Sequence, residues 1–77
     1  MVFVEVAMKE FPYTVTTKKL KHEAEQWCTK NIGERWFAVG RKTGNWTCFW
    51  AGRDDPKSYR WYFKNEKDAV MFSLRWL

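Results

Sequence analysis

Between Arg35 and Phe63 the chain reads RWFAVGRKTGNWTCFWAGRDDPKSYRWYF, three aromatic-rich runs separated by two turn signals. This stretch limits the fold more than any other. Thr43-Gly44 suits a two-residue hairpin loop, because glycine tolerates positive φ. Gly52 to Ser58 makes a longer polar connection in which Asp54, Asp55 and Pro56 are turn formers. Aromatic runs bounded by such punctuation predict a three-stranded antiparallel meander. Closing the first hairpin on Thr43-Gly44 places Phe37 opposite Trp50, Val39 opposite Cys48 and Arg41 beside Trp46. Successive side chains of a strand point to opposite faces. Phe37, Val39, Cys48 and Trp50 therefore share a face with Tyr59, Trp61 and Phe63, and this apolar set is the expected core. The second face carries Trp36, Phe49, Arg60, Tyr62 and Lys64, with Lys42 flanking it at the turn.

The flanking segments supply the other elements. Val2, Val4, Val6 and Met8 alternate with other residues, which predicts a half-buried N-terminal strand. Pro12 then breaks the chain, since it disfavours helix in the residue before it. Thr16 or Thr17 can cap a helix running to about Asn31, with Gly33 ending it. Its apolar stripe is Leu20, Ala24, Trp27 and Cys28, followed by Ile32. Lys18, Lys19 and Lys21 gather at the end where the helix dipole disfavours cations, either as a tolerated cost or as a binding surface. Asn65, with Asp68 three residues on, resembles a capping box that opens a last helix. Beyond its first turn only Ser73 and Arg75 are polar, so this helix is expected to pack across the sheet. The order βαβββα predicts one α+β domain over residues 1–77, with two helices packed on the sheet.

At 77 residues a core is small, and large side chains bury more area per residue. That accounts for part of the 19% aromatic content. The net charge of +5 favours an anionic partner. Glu5 falls early in an N-terminus without a secretory cleavage pattern, so a reduced, cytoplasmic setting is expected, with Cys28 and Cys48 packed as free thiols. No apolar run reaches the roughly 18–20 residues that a membrane span needs. Asn45-Trp46-Thr47 matches a glycosylation acceptor, and a turn Asn followed by a strand accounts for it.

Aromatic strands followed by Asn65-Glu66-Lys67-Asp68-Ala69, then Phe72, Leu74 and Trp76, resemble short proteins of unassigned function encoded by large tailed bacteriophages. The resemblance covers roughly Glu34 to Leu77. It implies synthesis in a bacterial host's cytoplasm and action on host machinery, and it carries over no functional residue.

Catalytic groups are sparse. His22 is the one histidine, set between Lys21 and Glu23 and six residues from Cys28, a poor spacing for a pair on one helix. No CxxC or HxxxH spacing suggests a metal, no glycine loop suggests a phosphate cofactor, and Asp54-Asp55-Pro56 reads as a turn. The chain is therefore expected to be a non-enzymatic binding protein, without cofactor, metal or small-molecule substrate. If the second face is open, Trp36, Phe49 and Tyr62 offer stacking surfaces to single-stranded nucleic acid while Arg60, Lys64 and Lys42 neutralise phosphates. If the last helix covers that face, the same aromatics are core. The alternative partner is a host protein, bound through the same patch or through the apolar last helix, since Trp, Tyr and Arg dominate interface hot spots.

Overall fold

The computed structural model describes residues 10–18, 21–37 and 43–76. Its elements are β1 (Tyr13–Thr17), α1 (Lys21–Asn31), β2 (Trp46–Trp50), β3 (Tyr59–Phe63) and α2 (Glu66–Trp76). The fold is α+β: one antiparallel sheet of order β1-β3-β2, with both helices contributing to a core on one face. The strand β3 is central. Val15 and Cys48 flank Trp61 on its two sides, and Tyr13 and Trp46 flank Phe63.

Alternation along β2 and β3 decides which side chains reach that core. Trp46, Cys48, Trp61 and Phe63 are buried there with Val15 of β1, Ala24 and Cys28 of α1, and Ala69 and Phe72 of α2. Phe72 is the hub. Its ring centroid lies 4.9 Å from Trp61, 5.2 Å from Phe63 and 5.9 Å from Trp27. Ala24 and Cys28, one turn apart, let α1 approach closely. The α2 helix begins after Asn65, whose Nδ2 donates to the Asp68 carboxylate at 3.4 Å. It buries Ala69 and Phe72 and leaves Val70 and Leu74 outside.

Four sequence expectations are corrected. Residues 13–17 form a strand, the outer one on its side among the described residues, rather than a break and a helix cap, and α1 spans Lys21–Asn31. Thr and Tyr favour strands, and Thr17 is committed there because its hydroxyl accepts a 2.8 Å hydrogen bond from Trp61 Nε1. Arg35, expected to open an antiparallel strand, makes a parallel bridge with Trp46 instead. Phe37, expected in the core, is 43% exposed beneath the Arg35 guanidinium. Trp50, also expected in the core, is 53% exposed because its rung with Tyr59 is the last of the ladder. The expected N-terminal strand at Val2–Met8, and Leu20, Val39, Arg41 and Lys42, lie outside the described residues.

Gly44 has φ +131, and a Cβ there would sit 2.5 Å from the Glu34 carbonyl oxygen and 2.9 Å from the Trp36 nitrogen. This close approach of two backbone segments requires glycine. Arg35 ties the same region to the helix layer. Its guanidinium donates to Glu25 Oε2 at 3.1 Å, to Thr47 Oγ1 at 3.4 Å and to the Cys48 carbonyl. Glu25 also accepts from Lys21 at 2.8 Å. The guanidinium thus occupies the Cys48 carbonyl of β2, an outer strand among the described residues.

Cys28 and Cys48 are both buried and free. Burial raises both thiol pKa values, strongly for Cys28, where Cys48 adds to the effect, and to about 11 for Cys48, where Arg35 opposes it. Unfolded thiols ionise near their ordinary value, so the folded state keeps protons that the unfolded chain releases. This contribution to stability is complete below about pH 9 and is lost as pH rises through about 11, at up to roughly 1.4 kcal/mol per pH unit per thiol. Urea midpoints should therefore fall between pH 9 and 11 in the native chain, and less steeply in Cys48→Ala. Equal slopes in the two proteins would show that the thiols do not set this dependence.

Candidate functional site

The second face of the sheet is built of two rows that cross the strands. In one, Thr47, Tyr62 and Thr14 stand opposite one another; in the next, Phe49, Arg60 and Thr16 do. The two rows have different fates. Tyr62 is buried in a small cluster with Phe11 and Trp36, against which Phe49 packs. Phe11 and Trp36 meet edge to face at 5.5 Å, and Phe49 and Tyr62 do so at 5.7 Å. Pro12 follows Phe11 immediately, and the backbone N–H of Trp36 donates to the Trp46 carbonyl at 2.8 Å. These fix the two ends of the covering cluster.

The face is consequently half covered, and by neither of the expected means. Trp36, predicted to be a stacking platform, is only 2% exposed. What covers it is Phe11, and not the last helix, which contributes to the core on the opposite face. Tyr62 is buried as well, Phe49 is half-buried, and Arg60 and Lys64 are exposed. Lys64 holds its ammonium 5.4 Å from the Phe11 ring centroid, at the covered end. Of the six predicted residues, Trp36, Phe49 and Tyr62 do come together, and Arg60 lies beside Phe49.

At the other end the face opens into a concavity of about 480 Å³ lined by Phe49, Trp50, Ala51, Gly52, Arg53, Arg60 and Tyr62. Its rim is the β2–β3 loop. Gly52 turns the chain at φ +101, a region that other residues rarely adopt. Ala51 N–H donates to the Ser58 carbonyl at 2.9 Å, Asp55 N–H to that of Gly52 at 3.2 Å, and Ser58 N–H to that of Asp55 at 3.1 Å. The Trp50 indole N–H donates to the Pro56 carbonyl at 2.8 Å. The indole is thereby held in place while half its surface meets solvent. Arg53 and Arg60 are exposed, and among the described residues neither takes part in a salt bridge.

Trp50 and Arg53 are the site residues that sequence reasoning missed. The signal for them was positional: Trp50 is the last strand residue before Ala51-Gly52, where a side chain outruns the cover of the helices. The notch has an aromatic floor of Phe49 and Tyr62 and two exposed guanidinium groups that, among the described residues, are in no salt bridge. Such a surface can stack a flat ring and neutralise an anion. His22 is exposed on α1, and among the described residues no group of three or more His, Cys, Asp or Glu could hold a metal ion. Among the described residues no helix is long and apolar enough to cross a membrane. No protein-family model matches the chain, and neither a similar curated protein nor a similar solved structure was found.

Proposed function

We propose that this chain is a small non-catalytic binding protein that takes single-stranded nucleic acid in the notch of Phe49, Trp50, Arg53, Arg60 and Tyr62. The observation that carries the reading is the half-buried Phe49 ring beside the exposed Arg53 and Arg60 in one concavity. A base stacked on an aromatic side chain contributes about 1–3 kcal/mol and needs no particular sequence. Exposed guanidinium groups beside an aromatic ring suit the phosphates of a stacked strand, and the net charge of +5 adds long-range attraction. A duplex groove fits less well, because the notch is a concavity and not a projecting helix or ribbon. The action belongs in the cytoplasm of a bacterial host if the phage-like resemblance holds.

Single-stranded oligonucleotides are expected to quench tryptophan fluorescence, with affinity falling as salt rises. Phe49→Ala should weaken binding about tenfold or more, the size of one lost stacking contact. Arg60→Ala should lower the slope of log affinity against log salt by about 0.7, one phosphate's share for a single strand. A second reading, a host protein partner, is favoured by Val70 and Leu74, exposed one turn apart on α2 and 53% and 84% open. Binding that is indifferent to salt and to Phe49→Ala, but lost in Leu74→Lys, would replace the first reading with this one.

A further inference from the structure

Resting on that reading, we propose that the bound strand leaves the notch across the sheet, over Arg60 and Thr16, and that Lys18 at the β1 edge holds a phosphate at its far end. The route follows from what the second face leaves open. A strand running along β3 from the notch would meet Tyr62, which is buried with Phe11 and Trp36. The crosswise row is free: Phe49, Arg60 and Thr16 stand directly opposite one another on β2, β3 and β1, and both Arg60 and Thr16 are exposed. Lys18, exposed at the bend that follows β1, stands two residues beyond Thr16 and diagonal to Arg60. Arg53, Arg60 and Lys18 thus stand near the β2 side, the centre and the β1 side of one face. Among the described residues none of the three is in a salt bridge.

The dimensions agree with a short strand. Adjacent strands lie about 4.8 Å apart, so the row from Phe49 to Thr16 spans about 10 Å. A stacked strand advances about 3.4 Å per nucleotide, so about three nucleotides separate the notch from the β1 edge. The Thr16 hydroxyl, midway, can donate to a phosphate or sugar oxygen. A dinucleotide would fill the notch without reaching Lys18. A longer strand would engage both.

The test titrates a thymidine dinucleotide and an eight-nucleotide oligothymidylate against the native chain, Lys18→Ala, Lys18→Glu and Lys30→Ala. Lys30 is an exposed lysine of α1 and serves as a charge-matched control. Lys18→Ala should weaken the octanucleotide about three- to fivefold and lower its salt slope by about 0.7, leaving the dinucleotide unchanged. Lys18→Glu should weaken the octanucleotide further, and Lys30→Ala should match the native chain. Equal effects from Lys18→Ala and Lys30→Ala would reduce the result to net charge and overturn the track. An octanucleotide affinity insensitive to Lys18 but lost in Phe49→Ala would overturn the track while leaving the notch in place. If neither oligonucleotide binds the native chain at low salt, the notch reading falls and the track with it.

Discussion

Trp61→Ala is expected to strip roughly 3–5 kcal/mol from the stability of the chain at 25 °C. The indole is fully buried on the central strand, stacked on Trp46 at 5.9 Å and against Phe72 at 4.9 Å. Removing a buried aromatic of this size costs roughly 3–5 kcal/mol. At about 0.05–0.15 kcal/mol per residue, a domain of this length has roughly 4–12 kcal/mol in all. The truncation also strands the Thr17 hydroxyl, which accepts the indole N–H on the β1 edge. Thr17→Val should lose only that hydrogen bond and stay folded, destabilised by about 1–3 kcal/mol. Far-ultraviolet circular dichroism and urea titration measure both. A Trp61→Ala variant as stable as the native chain would mean that β3 does not occupy the centre of the sheet.

Trp36→Ala should be nearly as damaging, by roughly 3–4 kcal/mol, although an open second face would have made it harmless. Trp36 closes the second cluster with Phe11 and Tyr62. Its indole N–H is buried and, among the described residues, has no hydrogen-bond partner. An unpaired buried donor is itself unfavourable by about 1–3 kcal/mol. Trp36→Phe removes that donor while keeping most of the packing, so it should be close to neutral in urea denaturation. The pair of variants separates packing from polarity. If Trp36→Ala melts with the native chain and loses oligonucleotide binding, Trp36 is an exposed contact after all.

The residues explain how much of this was legible in the sequence. Strict alternation in Tyr59–Phe63 gave the two faces of β3, and the spacing of Ala24 and Cys28 gave the buried side of α1. Alternation also grouped Trp36, Phe49 and Tyr62, which do share a cluster. Their exposure was not legible, because it depends on Phe11, a residue 25 positions before Trp36 that a local pattern cannot bring there. Residues 13–17 were misread since Thr is at home both as a helix cap and in a strand. The choice rests on β3, more than 40 residues away, through backbone pairing and the Trp61 indole. Trp50 was assigned to the core by its face alone. How far the helices extend along that face is a tertiary fact, and it leaves the last rung uncovered.

The strand order carries a consequence for how the molecule is made. β1 and β2 come first in the chain, yet each pairs with β3 and they are not neighbours of one another. During synthesis neither has its ladder partner until residues 59–63 leave the ribosome, and β1 must then close a loop from Tyr13 to Phe63. Such non-local closure slows folding relative to helical bundles of this size. Until then Trp36 and Trp46 have no sheet to bury against, and the nascent chain presents apolar surface at a translation rate of about 5–20 residues per second. The final quarter of the sequence therefore acts as a molecular latch. A chain truncated before Tyr59 would hold most of the aromatic residues and have no sheet in which to place them.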